Sequence, residues 1–165
     1  MTENISTPPD SVTGYFEDLA VGRVIRHWPG RTISEADDTW FSMITMNGNP
    51  IHFDAAYAAT VGHGQCLVNG LFVLSLAVGM STRDLAARAL ANLGMDAIRH
   101  QAPVFHGDTL YAISTILEGR VTQSKSDRGI IKVETRAVNQ SNVEVLSFQR
   151  TLMVPVRHPG AKPAS

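Results

Sequence analysis

The chain predicts an α+β domain in which an antiparallel sheet wraps one long central helix, on two observations. From Gln65 to Thr82 there is no charged residue, and at least four strand-like segments follow in the second half. The uncharged stretch approaches the ~20 apolar residues needed to cross a bilayer. Asn69, Gly70, Ser75 and Gly79 interrupt it. A helix from about Val68 to Met80, surrounded by protein, accounts for the pattern better than a membrane span.

The clearest strand runs through Ile131, Val133 and Ala137, which alternate with Lys132, Glu134 and Arg136. This period of two marks one buried and one wet face. Asn139-Gln140-Ser141-Asn142 turns the chain into a second strand, with Leu146, Phe148, Leu152 and Val154 on one face, so the pair reads as a hairpin. Thr109 to Leu117 and Met95 to Val104 supply two more strands, and Ala86 to Leu93 is expected to hold another helical turn or two. In the N-terminal third, short strands at Val24 to His27 and Arg31 to Ile33 precede a helix from Glu35 to Thr45. Ser34 and Asp37 have the capping-box spacing at its start. A short helix from Asp54 to Val61 follows an irregular Asn47-Gly48-Asn49-Pro50 stretch. Residues 1–13 and 157–165 are expected to be flexible tails around a single domain of 14–156.

Composition narrows the function. Formal net charge is −1 and the basic residues are scattered, which argues against nucleic-acid binding. Charged residues make up 18%, below the roughly 25% usual in soluble domains. Part of the surface is therefore expected to be covered by another subunit. Cys66 is the single cysteine, so no internal disulfide forms, and its expected role is a small buried apolar residue. The N-terminus lacks a basic patch followed by an apolar run, and a cytoplasmic location is the expectation. His63, Cys66 and His100 lack zinc-site spacing, so no metal is expected. No glycine-rich phosphate cradle is present. Trp28 and Trp40 are expected to pack rather than to contact a cofactor.

The chemistry-bearing segment is Asn47-Gly48-Asn49-Pro50-Ile51-His52-Phe53-Asp54. The restricted Asn49-Pro50 step stiffens the loop that carries His52. Histidine is the side chain best suited to exchanging a proton near neutral pH, although such a residue also serves as a structural hydrogen-bonder. Asp54 stands where an acid caps the next helix. Gly70, at the start of the long helix, offers a backbone N–H at an electropositive end and lets a ligand approach closely. It also reads as a packing glycine.

Asn49, Pro50, Ile51, His52 and Asp54 match the Asp-x-Asn-Pro-aliphatic-His-x-Asp motif of the MaoC-like enoyl-CoA hydratases, and the chain resembles that family along most of its length. Phe16-Glu17-Asp18-Leu19 with Val21-Gly22 is similar to the family's opening, and Thr32 to Asp37 to its first helix start. Val68-Asn69-Gly70-Leu71 is similar to the beginning of the central helix, and Pro103 to Leu110 to the family's strand-to-strand turn. The resemblance implies a hotdog fold and reversible hydration of a 2-enoyl-CoA to a 3-hydroxyacyl-CoA, most often the R isomer. It further implies a homodimer or higher homo-oligomer with the substrate tunnel at the interface, and no cofactor beyond the coenzyme A of the substrate.

On this resemblance His52 manages the proton and the Gly70 N–H holds the thioester oxygen; Asn49 and Asp54 are candidate substrate contacts, and Asn69 either orients substrate or caps the helix. The motif's first position departs from the family: Asn47 stands where an Asp is usual. An amide orients water but does not take up a proton. Three readings follow. His52 acts as sole base with Asn47 placing the water; another carboxylate, Asp54 nearest in sequence, takes over; or hydration has been lost. The Met-Asn-x-Asn-Pro-Ile-His version points to short, branched or dicarboxylic substrates of the mesaconyl or itaconyl type. A hotdog thioesterase and a non-catalytic acyl-CoA-binding subunit are the rival functions.

Overall fold

A computed structural model describes residues 14–123 and 125–157. The expected N-terminal tail lies outside the described residues, as does the C-terminal tail beyond residue 157. Arg157 itself is held: its backbone N–H lies 3.0 Å from Glu17 Oε1 and Oε2, and its guanidinium 2.7 Å from Asp18.

Six strands form one antiparallel sheet: β1 (Val24–Arg26), β2 (Arg31–Thr32), β3 (Ala91–His100), β4 (Thr109–Val121), β5 (Arg128–Asn139) and β6 (Glu144–Pro155). The order is β1-β4-β5-β6-β3, and β2 also pairs with β4. The helices are α1 (Glu35–Ile44), α2 (Ala55–Ala58) and α3 (Gly70–Ser81). α3 lies on the inner face of the sheet. Val73 and Ala77 of α3 pack with Leu110 of β4, Ala137 of β5, and Leu146 and Phe148 of β6. A second cluster gathers Leu85, Ile116, Ile131 and Leu152 beyond the end of α3. No helix among the described residues is long and apolar enough to cross a membrane.

The hairpin read from the alternation is β5–β6, paired from Arg128–Pro155 to Val138–Glu144. Its expected inward residues Ile131, Val133 and Ala137 are buried. The capping box also forms: Asp37 N–H donates to Ser34 Oγ at 3.2 Å and Ser34 N–H to Asp37 Oδ2 at 3.0 Å. The Ser34 N–H and the Ser34 hydroxyl, which donates to Asp37 Oδ2 at 2.8 Å, hold the Asp37 carboxyl below the usual range, with Arg31 beside it.

Three local expectations are corrected. The helical turn expected at Ala86 to Leu93 lies earlier, as a π-helical turn over Thr82–Ala86, and Ala91 already belongs to β3. That turn buries both Asp84 and Leu85. β3 starts and stops earlier than Met95 to Val104, because pairing with β6 begins at Ala91–Met153 and ends at His100–Leu146. Trp40, expected to pack, is 70% exposed on α1.

Asp84 enters a chain of buried polar groups. His27 Nδ1 lies 2.7 Å from Asp84 Oδ2, His27 Nε2 lies 2.8 Å from Ser114 Oγ, and Ser114 Oγ lies 2.8 Å from Thr135 Oγ1. Burial pushes the His27 pKa below 6.5, against the opposing pull of Asp84, so the ring is neutral. A carboxylate only accepts, so Nδ1–H donates to Asp84 and Nε2 accepts from the Ser114 hydroxyl.

This sets the sign of a pH effect. The unfolded ring takes a proton near 6.5 while the folded one resists it, so stability falls as pH drops below that value toward the folded pKa. Chemical denaturation at about pH 5.5 and about pH 7.5 should show lower stability at the acidic value, and His27→Gln should shrink the difference. An unchanged difference in the variant would remove His27 as its cause.

Candidate active site

The loop before α2 is built to aim one imidazole. Asn47 Oδ1 accepts from Asn49 N–H at 3.2 Å, and Asn49 Oδ1 accepts from Ile51 N–H at 3.2 Å. Pro50 occupies the first turn of a short 3-10 helix, Pro50–His52, where its missing N–H costs nothing. The Leu67 N–H donates to Ile51 O at 3.1 Å, so this loop is stitched to the segment leading into α3. His52 Nδ1 lies 2.8 Å from Leu67 O. A carbonyl only accepts, so Nδ1 carries the hydrogen and Nε2 of the neutral ring keeps its lone pair. The geometry thus prepares a base.

The start of α3 is fixed with equal care. Asn69, 2% exposed, caps it by accepting from Leu71 N–H at 3.0 Å. Asn69 N–H donates to Asp38 Oδ1 at 2.9 Å, and Asn69 Nδ2 donates to Ser42 Oγ at 3.2 Å. Asp38, fully buried, also binds His106 Nε2 at 3.0 Å through Oδ2. Gly70 is the first residue of the helix. Its N–H, one of the donors that a helix start leaves without an internal acceptor, meets no acceptor among the described residues.

His52 and Gly70 face one cavity of about 380 Å³. Its walls are apolar at Leu67, Val68, Val73, Val104 and Val145, and its polar lining comes from His52, His63, His100 and Gln101. No carboxylate, lysine or arginine lines it. A small, mostly apolar cleft with a few convergent polar groups suits an organic ligand. The bare imidazole nitrogen can take a proton and the helix-end N–H can hold developing negative charge. Among the described residues no group of three or more His, Cys, Asp or Glu is placed to hold a metal ion.

The sequence profile of the MaoC like domain family matches residues 17–142. The chain belongs to that family. This MaoC-like domain is 33% identical to a mesaconyl-CoA hydratase of Cereibacter sphaeroides, over 89% of this chain and 43% of that one. It is 27% identical to an (R)-specific enoyl-CoA hydratase of Aeromonas caviae, over 84% of this chain and 98% of that one. A Mycobacterium tuberculosis protein described as having a double hotdog fold matches with a TM-score of 0.78 and 29% identity, over 91% of this chain and 46% of that one. The fold of the MaoC-like domain is accordingly the hotdog. It spans less than half the length of the mesaconyl-CoA hydratases it matches.

Of the residues singled out in the sequence, the MaoC-like domain brings His52 and Gly70 to one cavity. Asn47, Asn49, Asn69 and Asp54 do not line it. Asp54 Oδ1 caps α2 by accepting from Tyr57 N–H at 3.0 Å. Burial pushes the Cys66 thiol pKa up, and Glu35, Asp38 and Asp54 push it further, so the thiol stays protonated. The Asp84–His27–Ser114 chain has the order of a hydrolytic triad, yet Ser114 is 0% exposed and reaches no substrate. Sequence reasoning missed the cavity roles of His63, His100 and Gln101. It also missed Asp38, which sets the start of α3.

Proposed function

We propose that this MaoC-like domain reversibly adds water to the double bond of a 2-enoyl-CoA, giving a 3-hydroxyacyl-CoA. The observation that carries the reading is the shared cavity of His52, with Nδ1 tied to Leu67 O, and the unpartnered Gly70 N–H. His52 Nε2 takes a proton from water as the oxygen attacks Cβ, and the negative charge passing to the thioester oxygen is held by the Gly70 N–H. Asn47 shapes the loop that carries His52 by accepting from Asn49 N–H, and lies outside the cavity where that water attacks. Asn49, Asn69 and Asp54 support the substrate through the turns and helix starts they cap.

A short dicarboxylic acyl group is the favoured substrate, supported by the mesaconyl-CoA hydratase relative, and an R product by the Aeromonas caviae one. The partner is a second copy of the chain. β3 is an edge strand whose residues from Asn92 to His100 are all exposed, with Leu93 at 48%, Met95 at 37% and Ile98 at 37%. Such an edge offers unpaired backbone groups to another strand. The free thiol of Cys66 suits a reducing cytoplasm.

A non-catalytic acyl-CoA-binding role is the second reading, and Asn47 in place of an acid favours it. Incubation with crotonyl-CoA, mesaconyl-CoA and saturated acyl-CoAs separates the readings. Loss of the enoyl chromophore without free thiol, from a particle of twice the chain mass, is the expected result. Thiol release would identify a thioesterase, and binding without turnover a non-catalytic subunit.

A further inference from the structure

We infer that His100 is the second proton-transfer group of the site, acting across the substrate from His52 and supplying the acid that Asn47 cannot be. The inference rests on the proposed hydration. β3 carries a one-residue bulge where Asp96 and Arg99 pair with Gln149 and Ser147, and Ala97 within it has φ 52°. Three steps on β3 are spanned by two on β6, so the alternation of faces flips. Without the bulge His100 would share the outer face with Asp96. With it, His100 pairs with the fully buried Leu146 on the inner face, toward α3.

The ring then lies against the first turn of α3. A Cβ on Gly70 would stand 2.9 Å from His100 Cε1, 3.2 Å from Nε2 and 3.3 Å from Nδ1. The imidazole therefore occupies space that only glycine leaves open, beside the free Gly70 N–H. Neither ring nitrogen has a hydrogen-bond partner among the described residues. His63, the third imidazole of the cavity, is instead packed edge-on against Phe105 with ring centroids 5.8 Å apart. His52 and His63 are the other titratable groups that line the cavity with His100, and the neighbouring Arg99 lies on the opposite face of β3.

The proton balance closes with two rings. His52 removes one proton from water, the water oxygen bonds to Cβ, and the π electrons move toward Cα and the thioester oxygen. Protonated His100 then delivers a proton to Cα, and exchange with solvent returns both rings to their starting states. One water is consumed and no redox partner is needed. Hydration requires His52 neutral and His100 protonated, so kcat passes through a maximum with pH that depends on both rings.

The test uses the full chain with an enoyl-CoA that the wild type hydrates, in His100→Gln, His100→Phe and His100→Ala forms whose folding is checked by circular dichroism. The expected result is a fall in kcat of about a hundredfold or more with KM little changed. One limb of the pH profile disappears and added imidazole partly restores His100→Ala. If kcat stays within about threefold of wild type, or falls while both limbs persist, the inference is overturned, because a packing role does not move a limb. If His52→Ala is inactive while the His100 variants are active, only this inference fails. If the wild type hydrates no enoyl-CoA, the proposed function fails with it.

Discussion

Replacing His52 by alanine should lower kcat for enoyl-CoA hydration by about a hundred- to ten-thousand-fold, the range spanned by loss of a general base. The structure gives this ring little work in holding the fold together. Its one bond, Nδ1–H to Leu67 O at 2.8 Å, joins segments already tied by the Leu67 N–H to Ile51 O bond at 3.1 Å. Folding should therefore survive while turnover is lost, so thermal melting and activity are to be measured on the same sample. Full activity in His52→Ala would remove the proposed mechanism.

Gly70→Ala should also slow turnover strongly, by about a hundredfold, comparable to removing one oxyanion donor. The added methyl would meet the His100 ring at 2.9 Å, closer than real side chains approach. The ring must swing into the cavity, and the methyl itself stands beside the N–H that the thioester oxygen has to reach. Stability should move the other way or not at all. Alanine favours helix over glycine by up to about 1 kcal/mol, and Gly70 does not sit at a positive φ. A variant that melts no lower than wild type yet turns over far more slowly is the expected pair of results; a drop in melting temperature with activity intact would make Gly70 a packing residue.

The β5–β6 hairpin was legible because its period of two is written locally, with Ile131, Val133 and Ala137 turned inward. The Ser34 cap was legible for the same reason, since its partners are three residues apart. So was His52, on a loop whose Asn49-Pro50 stiffening is a matter of neighbouring residues. Nothing local announced the π-helical turn, whose Asp84 meets His27, a residue 57 positions away. Asp38 carries no local mark that singles it out from the other acids in the first turn of α1. Only folding shows it buried, binding the Asn69 backbone 31 positions on and His106 68 positions on.

By itself the sequence determined the α+β layout, the uncharged central helix with its glycine start, the loop that carries His52, and the departure at Asn47. These depend on side-chain polarity and on backbone preferences among residues a few positions apart. The tertiary structure alone decided that His100 turns inward, that Asp38 is buried against the Asn69 backbone, and that the β3 edge lies open. The reason is register: which face a strand residue takes, and which helix end it meets, is set by pairing between segments far apart in the chain, and one bulge reverses it.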